Sequence, residues 1–202
     1  MTKLLLATGN RGKVREFQAL LRGIPYELIT PEQVSVSVDV PETGKSYEEN
    51  ARLKAVTLAE RSGLITLADD SGLEVQVLNG EPGFHSARYG GSGLSDRDRV
   101  NLLLSRLEDV PREKRFARFV SVIAIAVPKD DVYFTRGECA GVIAFEPKGE
   151  MGFGYDPVFY FPELGKTMAE LDMETKNRVS HRGKASVKAR EILLKIKERP
   201  VL

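Results

Sequence analysis

Cysteine occurs once, at Cys139, so no intrachain disulfide can form; this points to a reducing compartment, and the expected location is the cytoplasm. Histidine occurs twice, at His85 and His181, and no HxxxH or CxxC spacing exists, which argues against a zinc site. There is no Gly-x-Ser-x-Gly elbow, and Cys139 has no activating partner nearby in sequence, so nucleophilic hydrolase chemistry finds no anchor. Neither charge sign dominates: 30 Lys+Arg face 29 Asp+Glu, without the basic excess typical of proteins that bind nucleic-acid polymers. No apolar run approaches a membrane span, and the opening MTKLLLATGN is too short an apolar run for a signal peptide. Repeats, low-complexity segments and linkers rich in Pro, Gly or Ser are missing as well.

What is present is an ordinary balance, 42% hydrophobic and 29% charged over 202 residues, enough to bury a core. Residues 1–202 read as a single domain, either one compact body or two lobes folding as one unit. A near-neutral surface suits a small anionic ligand held by a few local cations.

The chain opens as strand, tight turn and helix. Lys3 to Ala7 is a short apolar strand; from Gly12 onward Val14, Phe17, Leu20 and Leu21 share a helical face, stopped by Gly23 and Pro25. Val34, Val36 and Val38 alternate, predicting a strand over residues 29–40. Ser46 and Glu49 predict a capped helix from Tyr47 to Gly63. "LITLADDSG" is an apolar strand running into two carboxylates, and Leu73, Val75 and Val77 predict another strand. Ser95 and Asp98 cap a helix with the stripe Val100, Leu103, Leu104 and Leu107. Residues 116–127 and 132–136 predict a hairpin around "PKDD", and 141–145 a short apolar strand. Thr167 and Glu170 cap a short helix, and a last helix is expected over residues 183–197. Alternating strands and helices followed by a hairpin predict an α/β fold with a mixed sheet flanked by helices.

Four clusters carry candidate chemistry. In Thr8-Gly9-Asn10-Arg11-Gly12-Lys13 a strand feeds a helix N-terminus, whose backbone N–H groups and positive end favour phosphate, with Lys13 and Arg11 adding charge. It is not a Walker A loop, since Val14 stands where a magnesium-binding hydroxyl would be. A plain turn with a solvated lysine fits the same residues. Asp69 and Asp70, followed by Ser71 and Gly72, are expected at a strand end and on opposite sides of it. A carboxylate there can hold magnesium or activate water, and Asp-Ser-Gly is also ordinary turn chemistry. Glu42 and Glu49 are further oxygen ligands near by, although Glu49 serves equally well as a cap. "GFGYDPVFY" places Phe153 and Tyr155 between glycines, as rings to stack on a base or simply to pack. "KNRVSHRGKA" gathers Lys176, Arg178, His181, Arg182 and Lys184 into a cationic patch able to donate hydrogen bonds, or into a solvated helix start.

Taken in order, "ATGNRGKVREF", "ETGKSYEENARLKA", "ADDSGLEV", "PGFHSARYGG", "GFGYDPVF" and "SHRGKA" resemble the inosine triphosphate pyrophosphatase family, the XTP/dITP diphosphatases, over nearly the full chain. The resemblance implies hydrolysis of noncanonical purine nucleoside triphosphates (ITP, dITP, XTP) to monophosphate and pyrophosphate, with Mg2+, in a homodimer. It implies a two-lobed fold around a long mixed sheet with a central substrate cleft. By position, Thr8, Gly9, Asn10, Arg11, Gly12 and Lys13 would bind the triphosphate. Glu42 and Asp70 would serve the metal, and Asp70 would also be the general base. Ser71 would touch substrate, and Phe153, Gly154, Tyr155, Asp156, Lys176, His181 and Arg182 would form the nucleotide and base pocket. Many relatives carry two carboxylates just before Thr-Gly in the metal loop; here Pro41 takes the first position and Glu42 alone remains. Two other readings compete. A pyrophosphatase of modified pyrimidine nucleotides typically opens with a Ser-x-Ser/Pro-Arg-Arg pattern, absent here. A non-catalytic nucleotide sensor would keep the phosphate turn and base loop but could dispense with the water-activating carboxylate, whereas Asp69 and Asp70 are both present.

Overall fold

The computed structural model describes residues 1–198. In chain order these form β1 (Thr2–Leu6), α1 (Arg11–Leu20), β2 (Tyr26–Ile29), α2 (Tyr47–Ser62), β3 (Ile65–Val75), β4 (Pro82–Gly83), α3 (Asp96–Arg106), β5 (Phe116–Ala126), β6 (Val132–Ile143), β7 (Phe159–Phe161), β8 (Lys166–Thr167), α4 (Met173–Val179) and α5 (His181–Glu198). One mixed sheet runs in the order β2-β1-β3-β5-β6-β7-β8, with β4 paired to β3. β1 is parallel to both β2 and β3, whereas β4 on β3, β7 on β6 and β8 on β7 are antiparallel. The α/β class and the helix-flanked mixed sheet are those expected. Among the described residues no helix is long and apolar enough to cross a membrane.

The chain divides into two compact units. The first comprises Met1–Asp70, Ser121–Gly137 and residues 182–198. Its core joins Leu4 and Leu6 of β1, Phe17 of α1, Leu67 of β3, Ile123 and Ile125 of β5, and Ala185, Ala189 and Leu193 of α5. The Tyr26 hydroxyl donates to the Leu193 carbonyl at 2.9 Å, tying β2 to α5. The second unit comprises Ser71–Val120 and Glu138–His181. Its core sets the predicted α3 stripe, Val100, Leu103 and Leu107, against Leu73, Val75, Phe119, Ile143 and Phe159.

Three local expectations fail for physical reasons. No strand covers residues 34–40. β2 ends at Ile29, and Pro31 opens a 3-10 turn, capped reciprocally by Thr30 and Gln33, that leaves Ser35 in a left-handed conformation at φ 53°. Carbonyls beyond it accept from a side chain instead of a strand: Arg61 Nη1 donates to Ser37 O at 3.1 Å and Asp39 O at 3.4 Å. Of the short strand expected at residues 141–145, only 141–143 are strand, as the end of one long β6 that stops at Ile143. The two strands expected around the aspartates are likewise one, β3, so Asp69 and Asp70 lie within it. They sit just past Leu67, the last residue that pairs with β1.

Gly72 allows β3 to continue. A Cβ at this position would stand 2.0 Å from the Gly83 carbonyl oxygen and 2.9 Å from Ser86 Oγ. Gly83 is held by its register with Leu73, and the Ser86 hydroxyl accepts from Leu73 N at 2.8 Å, so neither neighbour moves freely. Gly72→Ala should therefore destabilise by about 1–3 kcal/mol, the usual cost of overpacking. The check is a thermal melt, with Tm falling by about 2–4 °C per kcal/mol in a chain of this size. An unchanged Tm would mean that the β3–β4 contact yields at no cost.

Candidate active site

In the first unit the turn between β1 and α1 is organised by Asn10. This residue is the N-cap, and its side-chain oxygen accepts from Gly12 N at 2.8 Å and Lys13 N at 3.1 Å. Thr8 Oγ1 in turn accepts from Asn10 N at 3.1 Å. Two of the amides expected to face a phosphate are thus already capped. Gly9, Asn10 and Arg11 are exposed, Thr8 and Lys13 half-buried, and Gly12 buried.

Lys13 reaches from this turn to β3. Its Nζ lies 2.9 Å from Asp69 Oδ2 and donates to the Asp69 carbonyl at 3.0 Å. Asp69 is enclosed. Arg182 Nε and Nη2 meet its Oδ2 at 3.2 and 2.9 Å, and Ser121 Oγ donates to its Oδ1 at 2.5 Å. The remaining arm of Arg182, Nη1, reaches Glu16 Oε2 at 2.7 Å. Arg182 is 2% exposed, so two of the residues expected in a solvated cationic patch or a base pocket separate here: Arg182 is an internal brace in the first unit, whereas His181 belongs to the second. Burial alone would raise the Asp69 carboxyl, but Arg182 and Lys13 outweigh it and hold Asp69 well below the usual carboxylate range. Burial pulls Lys13 below the ordinary lysine range in spite of Asp69.

Asp70 points elsewhere. Its Oδ1 accepts from Lys54 Nζ at 2.8 Å and its Oδ2 from Asn50 Nδ2 at 3.4 Å. Burial raises its carboxyl, and the nearby Lys54 and Lys13 do not cancel the effect. Lys54 Nζ also donates to Glu42 Oε1 at 3.0 Å, so the carboxylates of Glu42 and Asp70 converge on a single ammonium. Burial lowers Lys54, but Asp70 and Glu42 more than compensate and leave it raised. Asn50 Oδ1 accepts from Gly44 N at 2.9 Å, anchoring the loop that carries Glu42. Glu49 acts at the cap: its Oε2 accepts from Lys45 N at 2.7 Å and its amide donates to Ser46 Oγ at 3.1 Å. Two neighbouring carboxyls are thereby split, Asp69 a locked anion and Asp70 a weaker acid, the pattern that separates a structural charge from a proton acceptor.

Asn50, Lys54 and Glu16 did not emerge from sequence reasoning. The signal was there: Asn50 and Lys54 stand four apart on α2, amid the small residues Ala51 and Ala55. A polar i, i+4 pair beside the buried face of a helix needs a buried partner.

In the second unit Asp156 organises the aromatic loop. Its Oδ2 accepts from Phe153 N at 2.9 Å and from Lys176 Nζ at 2.5 Å. Gly152 has φ +82°, and a Cβ on it would fall 2.0 Å from that same oxygen, so the loop requires glycine there. Lys176, 4% exposed, lies on α4, a helix that the sequence reading missed although Asp172 caps it through Thr175 N at 2.7 Å. The Lys176 ammonium stands 5.3 Å from the centroid of the Phe153 ring. Gly154 N donates to Asp96 Oδ2 at 2.8 Å. Phe153 is half-buried, whereas Tyr155 is buried and its hydroxyl donates to Ser86 O at 3.0 Å. His181 stacks on Phe119 with centroids 4.6 Å apart, and its Nδ1 lies 3.9 Å from Cys139 Sγ. Ser71 is half-buried on β3.

The model of the Ham1 family matches residues 4–192. The chain belongs to the Ham1 family. A dITP/XTP pyrophosphatase of Desulforamulus reducens is 51% identical over 191 residues, covering 95% of each chain. One of Geobacter sulfurreducens is 50% identical over 92% of this chain and 93% of its own. Among solved structures, the Staphylococcus aureus Ham1 protein superposes with a TM-score of 0.85 at 40% identity, covering 96% of this chain and 100% of that one. A HAM1 protein of Coxiella burnetii gives 0.86 at 41%, with the same coverage. The family implied by the ordered motifs is therefore the right one, and its solved members share this mixed-sheet fold.

Proposed function

We propose that the chain hydrolyses ITP, dITP and XTP to nucleoside monophosphate and pyrophosphate, removing these noncanonical purine nucleotides from the pool. The observation that carries the chemistry is the splitting of Asp69 and Asp70 into a locked anion and a buried carboxyl raised above its usual range. The activity named for the relatives supports the reading. In the same reading residues 1–202 act as a single catalytic domain in a cytoplasmic homodimer, with neither a nucleic-acid polymer nor a membrane as partner.

Magnesium fits the donors present. Glu42 and Asp70 offer two hard oxygens already aimed at one cationic position, and magnesium commonly takes one or two carboxylates, with substrate phosphates and waters completing its shell. No group of three or more His, Cys, Asp or Glu suited to a metal occurs among the described residues, so the phosphates would have to complete the shell. When bound, the metal would supply charge neutralisation on the phosphate oxygens.

The protein supplies the rest. Asp70 accepts the proton of the water that attacks in line, and burial tunes it for this work. Thr8 to Lys13 receive the phosphates, with Lys13 steadied by Asp69, and Ser71 contacts the nucleotide. Arg182, with its guanidinium committed to Asp69 and Glu16, acts by bracing Asp69. Phe153 and Gly154 take the face of the base, and Tyr155, Asp156 and His181 hold the surrounding structure. Lys176, pinned by Asp156 beside the Phe153 ring, presents donors to the 6-carbonyl of inosine or xanthine. It would meet the 6-amine of adenine badly, since two donors would then face each other.

Phe153→Ala should weaken all purine triphosphates together, by about 1–3 kcal/mol, because stacking reads the face of a ring and not its edge. The measurement is kcat/KM for ITP and ATP; a loss confined to ITP would assign Phe153 to edge recognition. The function as a whole is tested by a magnesium-supplemented panel of ITP, dITP, XTP, ATP and modified pyrimidine triphosphates. Preferred turnover of the first three is expected. Preference for the pyrimidines, or tight binding without turnover, would favour the rival readings.

A further inference from the structure

The Lys54 ammonium occupies the gap toward which Glu42 and Asp70 converge. We propose that Lys54 and the divalent cation are alternative occupants of this one position, so that the cation enters only as the lysine swings out. The proposal rests on the assignment of Glu42 and Asp70 to the metal made above.

Lys54 Nζ lies 3.0 Å from Glu42 Oε1 and 2.8 Å from Asp70 Oδ1, and its side chain is only 13% exposed. A magnesium ion sits about 2.0–2.1 Å from its oxygens. A cation held by the same two carboxylates would compete with the ammonium for them, and two cations cannot share so poorly solvated a space. The lysine is a point charge on a flexible four-carbon stem, free to leave without moving the helix that bears it. The backbone of the Glu42 loop would stay beside Asp70 after its departure, because Asn50, one turn earlier on α2, holds both Gly44 of that loop and Asp70. Lys54 is therefore a positioning residue: a resident counter-ion that keeps two acids together in the metal-free protein. Its presence sets a cost on cation entry, so the nucleotide-free protein binds the metal weakly.

The test is Mn2+ binding to the nucleotide-free full chain, read by calorimetry and by electron paramagnetic resonance of free Mn2+. Lys54→Met keeps the stem and removes the competing charge, and should tighten Mn2+ binding at least tenfold. Lys54→Arg keeps the charge and should not tighten it. Without cation, Lys54→Met should melt below wild type, and added Mg2+ should raise its Tm more than that of wild type. Lys54→Gln provides the same comparison if the methionine variant does not fold. Unchanged or weaker Mn2+ binding in the neutral variant overturns the exchange. Asp70→Asn separates the two levels of the reading: if it binds Mn2+ as wild type does, the metal assignment itself falls and the exchange with it.

Discussion

Asp70→Asn should remove most turnover while the protein stays folded. The amide keeps the shape of the carboxyl, and its carbonyl can still accept from Lys54, so that contact of β3 with α2 survives while the weaker one from Asn50 Nδ2 is lost. It loses both the negative charge and the ability to take a proton. Loss of a general base costs about 10²–10⁴-fold, and loss of a metal ligand adds to that. The measurement pairs kcat for ITP with a thermal melt of the same preparation. Near-wild-type kcat in a variant that melts normally would remove Asp70 from the chemistry.

Arg182→Ala should act on stability first. Arg182 and the carboxylates of Asp69 and Glu16 are all almost fully buried, and deletion of the guanidinium takes a close positive charge from both acids. Breaking one partner out of a buried ionic cluster costs about 3–5 kcal/mol, a large share of a total that is typically about 5–15 kcal/mol. Lys13 and Ser121 still reach Asp69, and Glu16 loses the Arg182 Nη1 contact at 2.7 Å. A second substitution, Glu16→Gln, should therefore restore part of the lost Tm. What activity remains should fall for ITP and ATP alike, because Asp69 steadies Lys13, the residue proposed to receive the phosphates that both share. If Arg182→Ala melts like wild type and instead narrows the ITP/ATP ratio of kcat/KM, Arg182 reads the base and the brace assigned to it is wrong.

The sequence made elements legible where one local signal dominated. The strand-turn-helix opening, the Ser46 and Ser95 caps and the α3 stripe all appear where periodicity and capping chemistry place them. It misled where a distant contact overrode a local one. Alternation at Val34, Val36 and Val38 suggests a strand, but Arg61 takes the carbonyls that a neighbouring strand would need. Asp-Ser-Gly suggests a turn, but Gly72 lets the β4 backbone come close enough for β3 to continue.

Within the site, residue types were readable and partnerships were not. Asp69 and Asp70 could be expected on opposite sides of a strand, yet which one is locked depends on Arg182, 113 positions away in the chain. Lys54 carries no motif of its own and gains its meaning only from Glu42 and Asp70, brought to it by the fold. "SHRG" reads as a single basic patch, whereas His181 packs on Phe119 in one unit and Arg182 on Asp69 in the other.

The central claim is that water, activated at Asp70, cleaves the bond that releases pyrophosphate. Its most direct test is hydrolysis of ITP in water enriched in oxygen-18, with the products resolved by mass spectrometry. Attack at the α-phosphorus predicts inosine monophosphate carrying one heavy oxygen, together with unlabelled pyrophosphate. Inosine diphosphate and orthophosphate as the direct products, or the label in pyrophosphate, would contradict it.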